Sequence, residues 1–324
     1  MKNITVFAVF VTMWCCVQAI PAQEKQAASY ALSICPQFGF LYGQAEEIVY
    51  PSPEFKAKKL SQLLWDIKPV FYYGLSLDFA RTQPMTTWGF FSNFSLKNGM
   101  PGKSGNMEDR DWLSKENKAL TNYSISDNIT DNLFFFDFSA GFSFPLKRIL
   151  LMKTYLTVSY MHFSFYGKNG YYTYAQYFGN DKYAPIDSTQ KEPLDGKVIN
   201  YTQDWFIITP GVSLGYYFNT HFYAELVLQI SPLIFCDDLD EHLKTKIKYQ
   251  DRMWGGIFLE PGFHFSWFAN KRLEFSLEFS WRYISETRGK TYESSLFSDD
   301  FEQNGTAGAG LSIINTGLSL KIHL

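Results

Sequence analysis

The sequence lacks a long apolar run beyond its N-terminus, and it carries no strong excess of charge of either sign. A membrane-spanning helix needs about 20 mostly apolar residues in a row, and none of the segments after residue 22 provides them. The 29 basic residues nearly balance the 32 acidic ones, so the chain offers no electrostatic surface for nucleic acid. Aromatic residues, in contrast, make up 19% of the chain. Such a composition excludes intrinsic disorder.

The first 22 residues have the layout of a secretory signal peptide. Lys2 precedes an apolar stretch from Ile4 to Val17, and small residues suited to signal peptidase follow. We expect cleavage after Ala19 or Ala22, which leaves residues 23–324 as a single domain. The competing interpretation, a transmembrane anchor, is disfavoured because the apolar run is short and polar residues follow it at once.

Cysteine is scarce, with four residues in a chain of 324. Cys15 and Cys16 leave with the expected signal peptide, and the mature chain keeps Cys35 and Cys236. Two cysteines do not make a disulfide framework, even in an exported protein. We expect no bridge between them, because Cys35 should lie low on its strand and Cys236 at the top of another.

The dominant pattern of the mature chain is alternation with period two. Large apolar residues alternate with small or polar ones from Tyr30 to Tyr42, from Phe134 to Phe144 and from Leu318 to Leu324. Each of these stretches predicts a strand with one apolar face. Seven further strand-like stretches bring the predicted total to ten: about Leu64–Ala80, Thr87–Phe94, Leu151–Tyr174, Tyr201–Phe218, Phe222–Phe235, Met253–Phe268 and Leu273–Tyr283.

Short and long connections alternate between the predicted strands. The tight ones lie near 82–84, 145–148, 218–221 and 269–272, and the long polar stretches around 43–60, 95–131, 167–200, 237–252 and 285–308. This alternation, with an even strand count, predicts an all-β fold, namely a ten-stranded antiparallel transmembrane β-barrel with long extracellular loops in a bacterial outer membrane. Such barrels have aromatic girdles at both interfaces. The expected members are Tyr72, Tyr73, Trp88, Tyr171, Tyr172, Trp205, Tyr216 and Tyr217.

Two polar segments at the loop ends of strands carry acidic residues two positions apart. Asp109 and Asp111 project from one face if their segment is extended. By the same rule Asp238, Asp240 and His242 share a face. A carboxylate beside a histidine fixes its tautomer and makes it a better base, which suits activation of water. Solvated acidic loops and divalent-metal sites use the same residue types, and spacing alone leaves those alternatives open.

Four segments, in this order, resemble blocks of the omptin family, the outer-membrane aspartyl-type proteases of Gram-negative bacteria. They are Glu47–Tyr50, Leu60–Trp65, Gly105–Trp112 and Asp238–His242. The resemblance implies an endopeptidase whose nucleophile is a water between the pair Asp109 and Asp111 and a His–Asp pair. His242 would be the general base and Asp240 would orient it. Neither a metal nor a covalent intermediate is expected, and Ser124 is interpreted as a loop serine.

The resemblance also implies peptide or protein substrates that are cleaved after a basic residue. Glu47 and Asp238 match the acidic positions of the pocket for the residue before the scissile bond, where two carboxylates suit a guanidinium. Met107, in the first catalytic block, is expected to contact substrate as well. Asn122 stands where omptins often have an Asp in the pocket for the residue after the bond. We therefore expect a weaker preference for a second basic residue.

No cofactor is expected, although lipopolysaccharide or another outer-membrane lipid could act as an activator. Omptins resembling the best-known members hold lipopolysaccharide with a Tyr-Gln-Glu-x-Arg-like run on an outer strand face. The corresponding stretch here, Val158–Ser164, lacks the Glu and the Arg, although an aromatic pattern survives at Gly170–Tyr174. The family lipid site is thus expected to be rebuilt or missing.

Two other kinds of outer-membrane protein compete with a monomeric protease whose site faces the extracellular side. One is a non-enzymatic barrel that acts as an adhesin or binds host proteins. The presence of all four expected catalytic side chains favours the enzyme over this alternative. The other is a diffusion porin, which is disfavoured because side chains largely fill the lumen of a ten-stranded barrel.

Overall fold

The structure, a computed structural model, is all-β and describes residues 30–81 and 85–324. The expected signal peptide and the first predicted tight connection, at 82–84, lie outside the described residues. Among the residues that are described, helices long and apolar enough to span a bilayer are absent. The strands are β1 (Tyr30–Tyr50), β2 (Ser61–Arg81), β3 (Gly89–Gly99), β4 (Gly102–Asp111), β5 (Asn122–Lys147), β6 (Leu150–Tyr174), β7 (Glu192–Pro193), β8 (Lys197–Tyr217), β9 (Phe222–Ser231), β10 (Ile234–His242), β11 (Ile247–Trp254), β12 (Phe258–Phe268), β13 (Leu273–Ile284), β14 (Arg288–Ser295) and β15 (Glu302–His323).

All fifteen strands belong to one antiparallel sheet whose pairings run in a cycle. From β1 the pairings lead to β2, then to β3 and β4, and on through β5 and β6 to β8. From β8 one row of pairings leads through β9 and β12 to β13, and a second row leads through β10 and β11 to β14. Both β13 and β14 pair with β15, which pairs again with β1. Each long strand in the described chain therefore has a neighbour on both sides, so its backbone edges are covered.

Two of the predicted strands are interrupted by residues that cannot continue a regular ladder. The prediction of an unbroken strand over Phe222–Phe235 is wrong at Pro232, which has no amide hydrogen to donate. The prediction over Met253–Phe268 is wrong at Gly255 and Gly256, whose φ angles of 85° and 84° lie in the left-handed region that favours glycine.

The stretches predicted as long loops are largely strand, and that expectation is corrected. β1 continues to Tyr50, β4 and the start of β5 fill much of 95–131, and β10 and β11 fill most of 237–252. The connections that remain at this end are 51–60, 112–121, 175–196, 243–246 and 296–301, of which 175–196 contains the short β7. Both faces of these strand extensions carry polar residues, so apolar alternation disappears although the strands stay paired. Short connections at 218–221 and 269–272 are confirmed, and the one predicted near 145–148 lies at 148–149.

Large apolar side chains are exposed on the outer face of the sheet. On β1, Phe38, Phe40 and Tyr42 are each about half exposed, whereas Leu41 between them is buried. A contiguous apolar surface of this kind is typical of contact with lipid or with another protein. Other exposed members include Leu75, Leu77, Phe79, Phe138, Phe142, Leu226, Leu228, Ile230, Phe275, Leu277 and Phe279.

Two of the residues expected in the aromatic girdle are wrong, because they lie on the inner face. Tyr73, Trp88 and Tyr216 are exposed, but Tyr72 and Trp205 are fully buried on the inner face. Tyr72 and Tyr73 are neighbours on β2 and must point to opposite faces, so only one of them can be outside.

Paired charges occupy the inner face of the sheet. They lie on the same parts of the strands whose outer face carries the exposed apolar side chains. Arg282 donates to Asp137 and to Glu260, each at 2.9 Å. Further ion pairs are Lys97–Glu278, Lys153–Glu225 and Lys321–Asp78. Buried charges are tolerated when they are paired in this way. Cys35 and Cys236 are buried and free, as expected.

An aromatic layer lies between these ion pairs and the upper end of the interior, which is the end where the long connections lie. Trp65 is fully buried and stacks on Tyr201 and Phe165, with ring centroids 5.1 Å and 5.7 Å away. Along β2, Trp65 precedes Tyr72, whose ring contacts Lys97. The residues on the other side of Trp65, towards the start of β2, face the candidate site.

Candidate active site

Asp109 and Asp111 project from one face of β4, as their spacing predicts. In the strand register, Asp109 lies between Leu63 of β2 and Ser124 of β5. The Ser61 hydroxyl donates to Asp109 Oδ1 at 3.4 Å. Asp111 lies directly opposite Ser61 on one side and opposite Asn122 on the other.

Burial makes ionisation of this pair unfavourable. Burial, followed by the charge of Asp111, raises the pKa of Asp109 well above its ordinary value. Burial also raises the pKa of Asp111 to about 6, although Ser61 and Asn122 interact with its carboxylate and oppose the increase. Burial and mutual repulsion thus favour a pair that shares one proton over a pair in which both carboxylates are ionised.

Asp240 and His242 form the second pair, on β10. His242 Nε2 lies 2.7 Å from Asp240 Oδ2, and only 2% of the Asp240 residue is exposed. The Tyr249 ring meets the imidazole edge-on at a centroid distance of 5.6 Å. This arrangement fixes the orientation of the ring and leaves its Nδ1 atom for another partner.

The two pairs act on each other electrostatically and therefore form one site. Burial disfavours the charged imidazole, but the charges of Asp240, Asp109 and Asp111 outweigh burial and raise the pKa of His242 to about 9. β4 and β10 are far apart in the sequence, and the strand pairings bring their upper ends to the same end of the sheet. The four residues expected to be catalytic are thus brought together.

A pocket of buried carboxylates adjoins these pairs. Glu47 of β1 and Asp238 of β10 are each only 2% exposed. Tyr201 donates its hydroxyl hydrogen to Asp238 Oδ2 at 2.9 Å, and Gln203 Nε2 donates to the Tyr201 oxygen at the same distance. Glu47 Oε2 and Asp238 Oδ1 have no hydrogen-bond partner among the described residues.

Within the part of the chain that the structure describes, no Lys or Arg forms an ion pair with Glu47 or Asp238, and each of the two has an unpartnered oxygen. Burial and nearby carboxylates, Asp240 for Glu47 and Asp251 for Asp238, raise the pKa values of both residues well above their ordinary range. Buried carboxylates are normally paired or fully hydrogen-bonded. The arrangement is therefore suited to a positively charged guest.

Asp251 is a site residue that the sequence analysis missed. It lies on β11 directly opposite Asp238 of β10, and it is 1% exposed. Directly opposed residues of antiparallel strands point to the same face. The short connection at 243–246 allows β10 and β11 to pair as a hairpin. Aligning the two strands across that connection would have placed Asp251 beside Asp238.

The structure also locates the other residues named from the sequence. Met107 is buried on the same face of β4 as Asp109 and lies opposite Trp65. Asn122 is the first residue of β5 and lies beside Asp111 rather than in a loop apart from it. The interpretation of Ser124 as a loop serine is wrong, because it lies within β5, opposite Asp109, and is 7% exposed.

The stretch Val158–Ser164, where the family lipid site is expected to be rebuilt or missing, lies on β6. The Tyr160 hydroxyl donates to Asp204 Oδ1 at 2.6 Å, and His162 Nδ1 lies 2.8 Å from the same oxygen. A His–Asp–Tyr cluster thus occupies this part of the sheet. Across residues 30–81 and 85–324, groups of three or more His, Cys, Asp or Glu side chains arranged to hold a metal ion are absent.

Comparisons with known proteins identify the family and the fold. The chain belongs to the omptin family, whose model matches residues 28–323. It is 23% identical over 292 residues to the plasminogen activator of Yersinia pestis, and the match covers 87% of this chain and 85% of that protein. The crystal structure of the outer-membrane protease OmpT from Escherichia coli has the same fold. Its TM-score is 0.78 at 18% identity, covering 93% of this chain and 100% of that chain.

Proposed function

We propose that this protein is an outer-membrane endopeptidase that cleaves peptide bonds after Arg or Lys by means of an activated water. The observation that carries the proposal is the meeting of the Asp109–Asp111 pair with the Asp240–His242 pair beside a pocket of unpaired carboxylates. A relative named as a plasminogen activator and a structural neighbour named as an outer-membrane protease support this assignment.

The cycle of strand pairings supports a ten-stranded transmembrane barrel. Around the cycle the positions are β1, β2, β3 with β4, β5, β6, β8, β9 with β10, β11 with β12, β13 with β14, and β15. A closed barrel satisfies its backbone hydrogen bonds internally, as a lipid environment requires. The exposed apolar side chains on the outer face would then contact lipid, and the ion pairs inside would fill the lumen.

The candidate site belongs to the part of this barrel that extends beyond the membrane, on the extracellular side. Trp254 on β11 and Phe206 on β8 are exposed on the outer face. Asp251 and Gln203 lie three residues further along the same strands, towards the long connections. In this placement the carboxylates are reached from water, which is where a peptide substrate would arrive.

The mechanism proposed here uses His242 as the general base. The ionised member of the Asp109–Asp111 pair and His242 hold a water, and as its oxygen bonds to the peptide carbonyl carbon, His242 accepts a proton. The protonated member of the same pair can donate a hydrogen bond to the developing oxyanion. When the C–N bond breaks, the imidazolium donates its proton to the leaving nitrogen, and Asp240 stabilises the charged ring throughout.

The acidic pocket would select the residue before the scissile bond. Glu47 and Asp238 would bind the cationic head group, while Met107 packs beside it and Asn122 borders the position of the residue after the bond. A bound cation also offsets negative charge near the catalytic pairs, because Glu47 interacts with both Asp240 and Asp109. Substrate binding would therefore lower the pKa of His242 and favour the neutral, basic imidazole.

The test is cleavage by refolded, monomeric protein of quenched fluorescent peptides with an Arg-Arg or an Arg-Val bond. We expect Asp109→Ala and His242→Ala to lower kcat by on the order of 10²–10⁴-fold. Asp187→Ala and His221→Ala, at exposed positions, are the matched controls and should retain activity. Assays with lipopolysaccharide, with another outer-membrane lipid and without lipid would show whether an activator is needed.

Two outcomes would contradict the proposal. Full activity in either of the Asp109 and His242 variants would remove the activated-water mechanism. Absence of cleavage in all lipid conditions, from protein whose gel mobility changes on heating as that of a folded barrel does, would favour the non-enzymatic adhesin.

A further inference from the structure

Asp251 is the least compensated charged side chain of the acidic pocket. It is 1% exposed, and neither of its carboxylate oxygens has a hydrogen-bond partner among the described residues. Thr291 of β14 lies directly opposite and interacts with the carboxylate, but its hydroxyl falls short of hydrogen-bond geometry. Burial, and then the charges of Asp240 and Asp237, raise the pKa of Asp251 to about 7.

A purely structural role does not account for this residue. A buried carboxylate that stabilises a fold is paired with a cation, as Asp137 is with Arg282. Asp251 instead lies opposite Asp238 on the neighbouring strand, and like charges in directly opposed positions destabilise a sheet. Its neighbour Asp237 shows the ordinary arrangement. Asp237 accepts a hydrogen bond from Gln250 Nε2 and forms an ion pair with Arg252.

The unpartnered oxygens of the pocket indicate which ligand group could donate hydrogen bonds to all of them. They are Glu47 Oε2, Asp238 Oδ1 and both oxygens of Asp251, contributed by three different strands. A lysine ammonium offers three N–H donors from one point, whereas the planar guanidinium of arginine offers five in a fixed fork. Four acceptors distributed over three strands match the larger and more extended donor set.

We propose that Asp251 determines specificity in this protein, by binding the guanidinium of an arginine before the scissile bond and thereby favouring Arg over Lys. This inference rests on the proposed function, because it concerns the same pocket. The unpartnered oxygens of Glu47 and Asp238 are too few for the five N–H donors of a guanidinium, and the two oxygens of Asp251 supply further acceptors. It takes no part in proton transfer, so its effect is on substrate binding.

The test compares matched peptides that differ only before the scissile bond, with Arg, Lys or citrulline, the neutral analogue of Arg. In Asp251→Asn we expect kcat/KM for the Arg peptide to fall by about 10- to 100-fold, which corresponds to one lost charge-assisted hydrogen-bonding partner. The change should lie mainly in KM, since the interaction is present in ground state and transition state alike. The Lys peptide should lose less, and the citrulline peptide little.

The matched control is Asp237→Asn, which removes a neighbouring carboxylate that is already partnered. It should leave the ratio of Arg to Lys cleavage unchanged, and Asp251→Glu should restore part of the preference. An Arg/Lys ratio in Asp251→Asn equal to that of the unaltered protein would overturn the proposal, as would tighter binding of the Arg peptide.

Binding of a non-cleavable peptide, with a reduced bond after Arg, separates this inference from the proposed function. If the unaltered protein binds that peptide without cleaving its normal counterpart, the protease assignment fails while the role of Asp251 is still measured by affinity. If it cleaves peptides but Asp251→Asn binds Arg and Lys peptides unchanged, only the inference about Asp251 fails.

Discussion

Replacing Asp240 by Asn isolates the charge that orients and polarises His242. The substitution keeps the size of the side chain and removes the carboxylate 2.7 Å from Nε2. A hydrogen bond to a charged group contributes about 1.5–3 kcal/mol. Since one pKa unit corresponds to about 1.4 kcal/mol, the pKa of His242 should fall by about one to two units from its value of about 9. Loss of ring orientation should also lower kcat, by on the order of 10²–10⁴-fold.

The assay is a histidine titration by NMR in detergent micelles, with the signal of His242 assigned from its disappearance in His242→Gln. Activity of Asp240→Asn is measured on the same preparation with an Arg-Arg peptide. The control is Asp237→Asn, on the same strand but facing the opposite way, which should leave both quantities near those of the unaltered protein. An unchanged pKa of His242 in Asp240→Asn would refute the reasoning, and so would activity within about threefold of the parent.

Three other predictions concern the surroundings of this pair. Because His242 must be neutral and Asp111 ionised for the water to be held and activated, kcat/KM should fall as pH drops below about 9 and should fall more steeply below about 6, which a pH–rate profile would show. Asn122→Asp adds a carboxylate beside Asp111, so the ratio of Arg-Arg to Arg-Val cleavage should rise, and an unchanged ratio would exclude Asn122 from that pocket. Arg282→Met leaves Asp137 and Glu260 without their cation, and the free energy of unfolding in urea should fall by about 3–5 kcal/mol, which gel mobility would detect.

The parts of the fold that sequence predicted are those where one strand face is exposed and apolar. Phe38, Phe40 and Tyr42 alternate with residues of the inner face, and that period fixes both the strand and the direction of its side chains. Beyond the apolar surface the same strand continues to Tyr50, and its residues 43–47 are small or polar on both faces. No apolar period marks this extension, so the prediction ended it too early.

The candidate site was predictable within each strand but not between strands. Spacing of two placed Asp109 and Asp111 on one face, and likewise Asp240 and His242. That the pairs meet depends on which strands are neighbours around the cycle, and only the family resemblance indicated it. Asp251 depends on the register of β10 with β11, which was hidden because both strands had been assigned to one polar loop.

The ion pairs of the interior were not predictable from the sequence. Arg282 and Asp137 are widely separated along the chain and lie on strands that are not adjacent in the sheet, so neither spacing nor strand pairing connects them. They meet across the interior, because the cycle of strands brings inner faces together. A charged residue in an alternating strand indicates that its side chain lies on the polar face, but it does not indicate its partner.

The cluster of buried carboxylates destabilises the folded protein when no cation neutralises it. Raised pKa values mean that the native state holds more protons than the unfolded chain between the ordinary pKa near 4 and the folded value, about 7 for Asp251. The stability of the empty site therefore decreases as pH rises through that interval. A guanidinium that binds there removes repulsion among Glu47, Asp238 and Asp251 while it forms its own hydrogen bonds. Under the proposed function, recognition of a basic side chain and relief of this repulsion would be the same event, because the strand pairings hold the carboxylates close together before binding.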